Sequence, residues 1–177
     1  MVAKQRTQSR ICAVTTDPHS WRSVDTAVDV PCPHPDVDIS GQNSLLSNRT
    51  ALILGSIAGS LEIVCRLTKN HLVKINEQDK SGFTALMYAT QRGHAAIAEL
   101  LLKKKANYRL TDNRGNTAII LAARRNQVAC LETLARYIKD PADWEAKGEH
   151  GLTAKEWAEA NERPEAAEFI RKMRNSP

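Results

Sequence analysis

The sequence predicts an all-α repeat fold, an α-solenoid of stacked helix-turn-helix units joined by short hairpin loops. Three observations lead there. The dipeptide Thr-Ala starts at Thr50, Thr84, Thr117 and Thr153, at intervals of 34, 33 and 36 residues, and a fixed period of this size marks a stacked array. An apolar run follows, as in "ALILGSIA", "ALMYA" and "AIILAA", and offers a stacking surface that one unit cannot bury alone. Hydrophobic residues make up 42% of the 177 residues but aromatics only 5%, so thin layers of small aliphatic side chains must form the core.

Residues 1–44 show no sustained period and contain Pro18, Pro31, Pro33 and Pro35. Such a stretch buries too little apolar surface to offset its ordering entropy, and it reads as a disordered tail. The repeat domain spans 45–177, with units at about 45–78, 79–111, 112–147 and 148–177. In the first unit "SLLSNR" stands where a regular turn is expected, and Gly55 is expected to interrupt the first helix. The second unit is the most regular. Thr84 caps a helix over 84–92, and Gly93 turns the chain, because glycine takes left-handed backbone at low cost. A second helix over 94–104 carries Ile97, Leu100, Leu101 and Leu102 on its apolar side. Asp112 and Gly115 mark the next turn. The third unit repeats the pattern with helices over 117–125 and 128–138. The 36-residue interval implies an insertion near 139–143, and the polar helix 165–174 reads as a cap whose outer face meets water.

The stretch "DKSGFTALMYATQRGHAAIAELLLKKKANYRLT", 79–111, resembles the ankyrin repeat over its full length. The family pattern is D-x-x-G-x-T-P-L-H-x-A-A-x-x-G-H, followed by an apolar second helix and a loop. "DNRGNTAIILAARRNQVACLETL", 112–134, is a second match. "GEHGLTAKEWAEANERPEAAEFIRKM", 148–173, resembles a terminal repeat, and "NRTALILGSIAGSLEIVCRLTKN", 48–70, a degenerate first one. Ala85, Ala118 and Ala154 replace the family's Pro, while Ile53, Met87, Ile120 and Glu156 stand at its His. Lys105 takes a loop position usually held by Gly, where left-handed backbone costs about 1 kcal/mol unless the loop deforms. Asn126 and Glu162 replace the turn Gly, and Asn fits better than Glu. Lys155 falls at a normally buried Leu, which predicts a frayed last unit.

No catalytic group, cofactor or metal site is expected. His19, His34, His71, His94 and His150 are scattered, and His94, at the family's G-H position, reads as structural. Cys12, His19, Cys32 and His34 match no structural zinc spacing. Cys130 replaces an apolar helix position and reads as a buried small hydrophobe, and Cys65, beside Arg66, as inert. The sequence has no Gly-rich phosphate loop, nucleophile elbow or H-E-x-x-H, so the chain is not expected to be an enzyme. It has no apolar window long enough to span a membrane and no apolar h-region in its first 30 residues. An intracellular location, cytoplasmic or nuclear rather than secreted, is therefore expected. It comes with reduced cysteines and an unused sequon at Asn48.

The formal net charge is +5. Residues 1–45 carry four basic and five acidic side chains, so the positive surplus lies in the repeats. The family resemblance implies protein binding by the hairpin tips and the exposed ends of the first helices, which line a concave groove. Here those positions are Lys80, Ser81, Phe83, Gln91 and Arg92, then Asn113, Arg114, Asn116, Arg124 and Arg125. In the fourth unit they are Glu149 and His150, with Leu152, Ala160 and Asn161 beside them. The middle of the groove is basic and Phe83 reads as an exposed aromatic anchor, which suits a partner with an acidic segment. The resemblance thus implies a monomeric adaptor, scaffold or inhibitor. Two alternatives stand beside it: a nucleus-associated transcription or nucleic-acid-linked regulator, suggested by the pI near 9.1, and a regulatory subunit of an enzyme. No row of stacking aromatics accompanies the charge, which disfavours nucleic acid. Lys103, Lys104 and Lys105 sit at a helix C-terminus, where cations favour the dipole.

Overall fold

A computed structural model describes residues 49–174. The expected tail, 1–44, and the set Cys12, His19, Cys32 and His34 lie outside the described residues. Eight α-helices are present among the described residues: α1 Ala51–Ala58, α2 Leu61–Leu67, α3 Ala85–Arg92, α4 Ala95–Lys103, α5 Ala118–Arg124, α6 Val128–Ala135, α7 Ala154–Ala160 and α8 Pro164–Arg174. They form four pairs. The first helices pack in the order α1, α3, α5, α7, and the second helices in the order α2, α4, α6, α8. This is the stacked α-solenoid that the period predicts.

Each unit opens in the same way. The hydroxyls of Thr50, Thr84, Thr117 and Thr153 accept from the N–H groups of Ile53, Met87, Ile120 and Glu156, at 3.2, 3.2, 3.5 and 3.3 Å. Each satisfies a helix-start donor that would otherwise lack a partner. At Thr153 the cap is reciprocal, because its N–H donates to Glu156 Oε2 at 2.7 Å. Each first helix also closes alike. Gly59, Gly93, Asn126 and Glu162 all hold left-handed backbone, and the N–H of the following residue reaches back to the last turn. Gln127 donates to the Ala122 carbonyl at 2.9 Å and Arg163 to that of Ala158 at 2.8 Å. This closure serves the helix-end carbonyls whatever side chain sits at the turn. Lys105 is left-handed as well, at φ 63°. The loop therefore keeps its geometry and bears the side-chain cost.

Burial follows position in the stack. From Ala85 to Thr90 every residue of α3 is buried, as is every residue of α5 from Ala118 to Ala123, because each helix has neighbours on both sides and its own partner helix behind it. In α7, near the end of the array, only Ala154 and Ala158 are buried. In the second helix of the second unit, Ile97 and Leu101 lie one turn apart and are both fully buried. Leu100, expected among them, flanks that stripe and is only partly buried.

Two expectations need correction. Gly55 does not interrupt α1, which runs unbroken from Ala51 to Ala58. A Cβ built on Gly55 would lie 3.3 Å from methyl groups of both Ile63 and Val64, so the glycine lets α2 close on α1. The last unit has both of its helices despite Lys155, whose ammonium reaches the surface and pairs with Glu159 at 3.5 Å. The insertion expected near 139–143 is a folded turn. Its 3-10 turn, Pro141–Glu145, buries Trp144 against the core, with the ring of Phe169 edge-on at 6.3 Å. Asp143 ties this turn to the second unit, accepting from the Tyr108 hydroxyl at 3.0 Å and from Arg109 Nε at 2.8 Å.

Candidate functional site

Six of the predicted binding residues, Lys80, Ser81, Phe83, Asn113, Arg114 and Asn116, sit on two hairpins built by buried carboxylates. Asp79 Oδ1 accepts from the Ser81 and Phe83 N–H groups at 2.9 and 3.0 Å. Asp112 Oδ1 does the same for Arg114 and Asn116, at 2.9 and 2.8 Å. Gly82 closes the first of these turns at φ 78°, and a Cβ there would stand 2.7 Å from the Asn113 amide nitrogen. Glycine at 82 thus permits both the turn and the close approach of the next hairpin. From that next hairpin, Asn113 binds the first one twice, through its N–H to the Ser81 carbonyl at 3.1 Å and through its side-chain amide to the Lys80 carbonyl at 2.8 Å.

Nine of the twelve predicted residues line one open cleft of about 440 Å³: Lys80, Ser81, Phe83, Gln91, Asn113, Arg114, Asn116, Arg124 and Arg125. Asp112 and Leu121 complete its lining. Two of the nine differ from expectation. Phe83 is half-buried rather than exposed, with its ring 4.9 Å from that of Tyr88, so it forms a wall of the cleft. Asn116 is 1% exposed. Its amide donates to Asp112 Oδ2 at 3.1 Å and accepts from the Glu149 N–H at 3.1 Å, which joins the third hairpin to the fourth. Asn116 is a brace, not a free surface contact.

Arg92, Glu149 and His150 lie outside that lining. Arg92 is exposed in the last turn of α3. Glu149 borders the cleft, with its carboxylate between two arginines: Oε1 is 3.3 Å from Arg114 Nη1 and Oε2 is 3.5 Å from Arg124 Nη1. Arg124 also lies over the indole of Trp157, 4.6 Å from the ring centroid. His150 is exposed at left-handed φ and stands 6.1 Å from the same ring. Part of the predicted basic groove is therefore already neutralised from within the chain.

Trp157 was missed at the sequence level, although a signal exists. It stands four residues after Thr153, as Tyr88 does after Thr84 and Leu121 after Thr117. The other candidates fall as follows. His94 packs under the first unit's turn, where a Cβ on Gly59 would meet its ring at 2.6 Å. Cys130 is fully buried, and burial pushes its thiol up to about 11. Among the described residues, no three His, Cys, Asp or Glu side chains are grouped so as to hold a metal ion. No helix among them is long and apolar enough to cross a membrane.

Comparison with known proteins agrees with this geometry. A model of ankyrin repeats in three copies matches residues 32–112, and one of ankyrin repeats in many copies matches 96–135. The human photoreceptor ankyrin repeat protein is 34% identical over 74% of this chain. Dog (Canis lupus familiaris) inversin is 29% identical over 69% of the chain, and the probable 26S proteasome regulatory subunit p28 of Saccharomyces cerevisiae 40% identical over 40%. The chain spans 27%, 11% and 32% of the lengths of these three relatives. Ankyrin repeats are in general protein-protein interaction modules. With four capped helix pairs in phase and family models matching between residues 32 and 135, the chain belongs to the ankyrin repeat family.

Proposed function

We propose that the chain is a non-enzymatic interaction module, an adaptor, scaffold or inhibitor, that holds an acidic segment of a partner protein in the cleft between its second and third hairpins. The repeat domain, residues 45–177, acts as a monomer inside the cell, in the cytoplasm or the nucleus. The observation that carries the reading is the cleft's composition. Lys80, Arg114, Arg124 and Arg125 converge on it, with Phe83 and Leu121 as apolar lining. Opposite charge on the partner would speed encounter and fix its register, and the apolar lining would reward a hydrophobic residue between the acidic ones.

The test is selection from a peptide display library, with wild-type protein and a Lys80, Arg125→Glu double variant whose helicity is first matched by circular dichroism. Acidic peptides enriched by the wild type and lost from the variant support the reading. Equal enrichment by both, or no acidic bias, would overturn it. A second reading, a regulatory subunit whose activity belongs to a partner enzyme, draws on the likeness to the yeast proteasome regulatory subunit. Co-purification of an enzyme activity with the tagged chain would favour it.

A further inference from the structure

The carboxylate of Glu149 occupies the position that a partner's carboxylate would take. It lies on the fourth hairpin and bridges Arg114 and Arg124, two of the four cations that line the cleft. It is an internal acid on a surface otherwise suited to an external one. Its side chain is 19% exposed, whereas those of Arg114 and Arg124 are 66% and 36% exposed. The guanidinium groups therefore remain reachable while Glu149 holds them.

We infer that Glu149 is an in-chain competitor that sets the affinity of the cleft for acidic peptides, and that a partner carboxylate binds Arg114 and Arg124 by displacing it. The inference rests on the acidic-partner reading above. Three features make displacement feasible. The two contacts, at 3.3 and 3.5 Å, are longer than the best charge-assisted hydrogen bonds. The Glu149 backbone is held separately, by its N–H to Asn116, so the side chain can leave without moving the hairpin. Trp157 lies under the Arg124 guanidinium and keeps it in place when the carboxylate goes. Trp157 is thus a positioning residue that serves the cleft through Arg124.

The experiment titrates fluorescent hexaglutamate, and separately fluorescent oligothymidine, into wild type, Glu149→Gln, Glu145→Gln and the double variant Glu149→Gln, Arg124→Gln, all at low salt. Glu145 pairs with Arg174, away from the cleft, so its substitution controls for net charge alone. Circular dichroism first verifies that all four are folded. Glu149→Gln is expected to tighten binding about five-fold, the order of one surface ion pair released. Glu145→Gln is expected to leave it nearly unchanged, and loss of Arg124 to abolish the gain. If the wild type binds hexaglutamate and the two single variants change affinity equally, Glu149 is no competitor and only the inference falls. If none of the four binds, the acidic-partner reading falls and takes the inference with it. A gain by Glu149→Gln for oligothymidine but not for hexaglutamate would also overturn both, and would move the partner class to nucleic acid.

Discussion

The Tyr88 hydroxyl donates to Asp79 Oδ2 at 2.8 Å, inside the core. Arg49 joins the pair from the first unit, donating to the Tyr88 hydroxyl at 3.0 Å and lying 3.5 Å from Asp79 Oδ2. One buried carboxylate thus shapes its own hairpin with one oxygen and links two units with the other. Buried polar groups are costly unless paired. Tyr88→Phe removes the hydroxyl from both partners and is expected to cost about 1–3 kcal/mol in urea unfolding. A loss under about 0.5 kcal/mol would mean that the network contributes nothing to stacking. Burial, then Asp79, pushes the Tyr88 hydroxyl above its ordinary value.

The framework was legible because its causes are local. A Thr that caps, a residue that turns left-handed and an apolar run that stacks each act within a few positions, and the period repeats them. The site was legible only in part, because its chemistry depends on side chains meeting across units. Asn116 looks like a surface Asn until the fourth hairpin is placed, where the Glu149 N–H needs its oxygen. Gly148 replaces the turn aspartate for a related reason: a Cβ there would stand 2.6 Å from Asn116 Oδ1 and 2.7 Å from Ile120 Cδ1. Glu149 between two arginines, and Trp157 beneath one of them, join residues 25 to 35 positions apart for the carboxylate and 33 for the indole. No local pattern encodes those contacts.

The stacking layers give a graded prediction in α4. Leu101 is 0% exposed, so Leu101→Ala should open a cavity and cost roughly 2–5 kcal/mol. Leu100 only flanks the core, so Leu100→Ala should cost clearly less, about 1 kcal/mol. Urea midpoints of the two variants decide it. Equal costs would mean that α4 is rotated relative to the register described.

Two turns hold side chains that oppose their backbone. Glu162 and Lys105 sit at φ 56° and 63°, where residues with a Cβ are strained. Both are exposed, so no packing is lost on truncation. Glu162→Gly and Lys105→Gly should each raise stability by about 0.5–1 kcal/mol, the relief of strain exceeding the added entropy of the unfolded chain. Asn126→Gly should not, because Asn126 also accepts from the Ala166 N–H at 3.3 Å and donates to Glu165 at 3.1 Å. A thermal scan of the three variants separates turn strain from these added contacts.

Cys130 supplies a pH dependence whose sign follows from burial. Its thiol is raised from 9.0 to about 11 by desolvation alone. Between those values the unfolded chain has released the proton and the folded chain still holds it. The stability contribution is therefore complete below pH 9 and is lost as pH rises through about 11. From about pH 8 to about pH 10 the wild type should lose on the order of 1 kcal/mol through this group, since each tenfold difference in proton affinity between the folded and unfolded chains corresponds to about 1.36 kcal/mol. Tyr88 and Tyr108, whose hydroxyls burial also pushes above 10.0, begin to add to this loss near pH 10, but they do so equally in wild type and in Cys130→Ala, so the difference between the two proteins isolates the thiol. Cys130→Ala lowers stability at both pH values by leaving a small cavity but should flatten the slope between them. If urea midpoints of wild type and variant fall in parallel over this interval, the thiol is not held protonated in the core, and the packing of α6 against α4 and α8 must be looser than described.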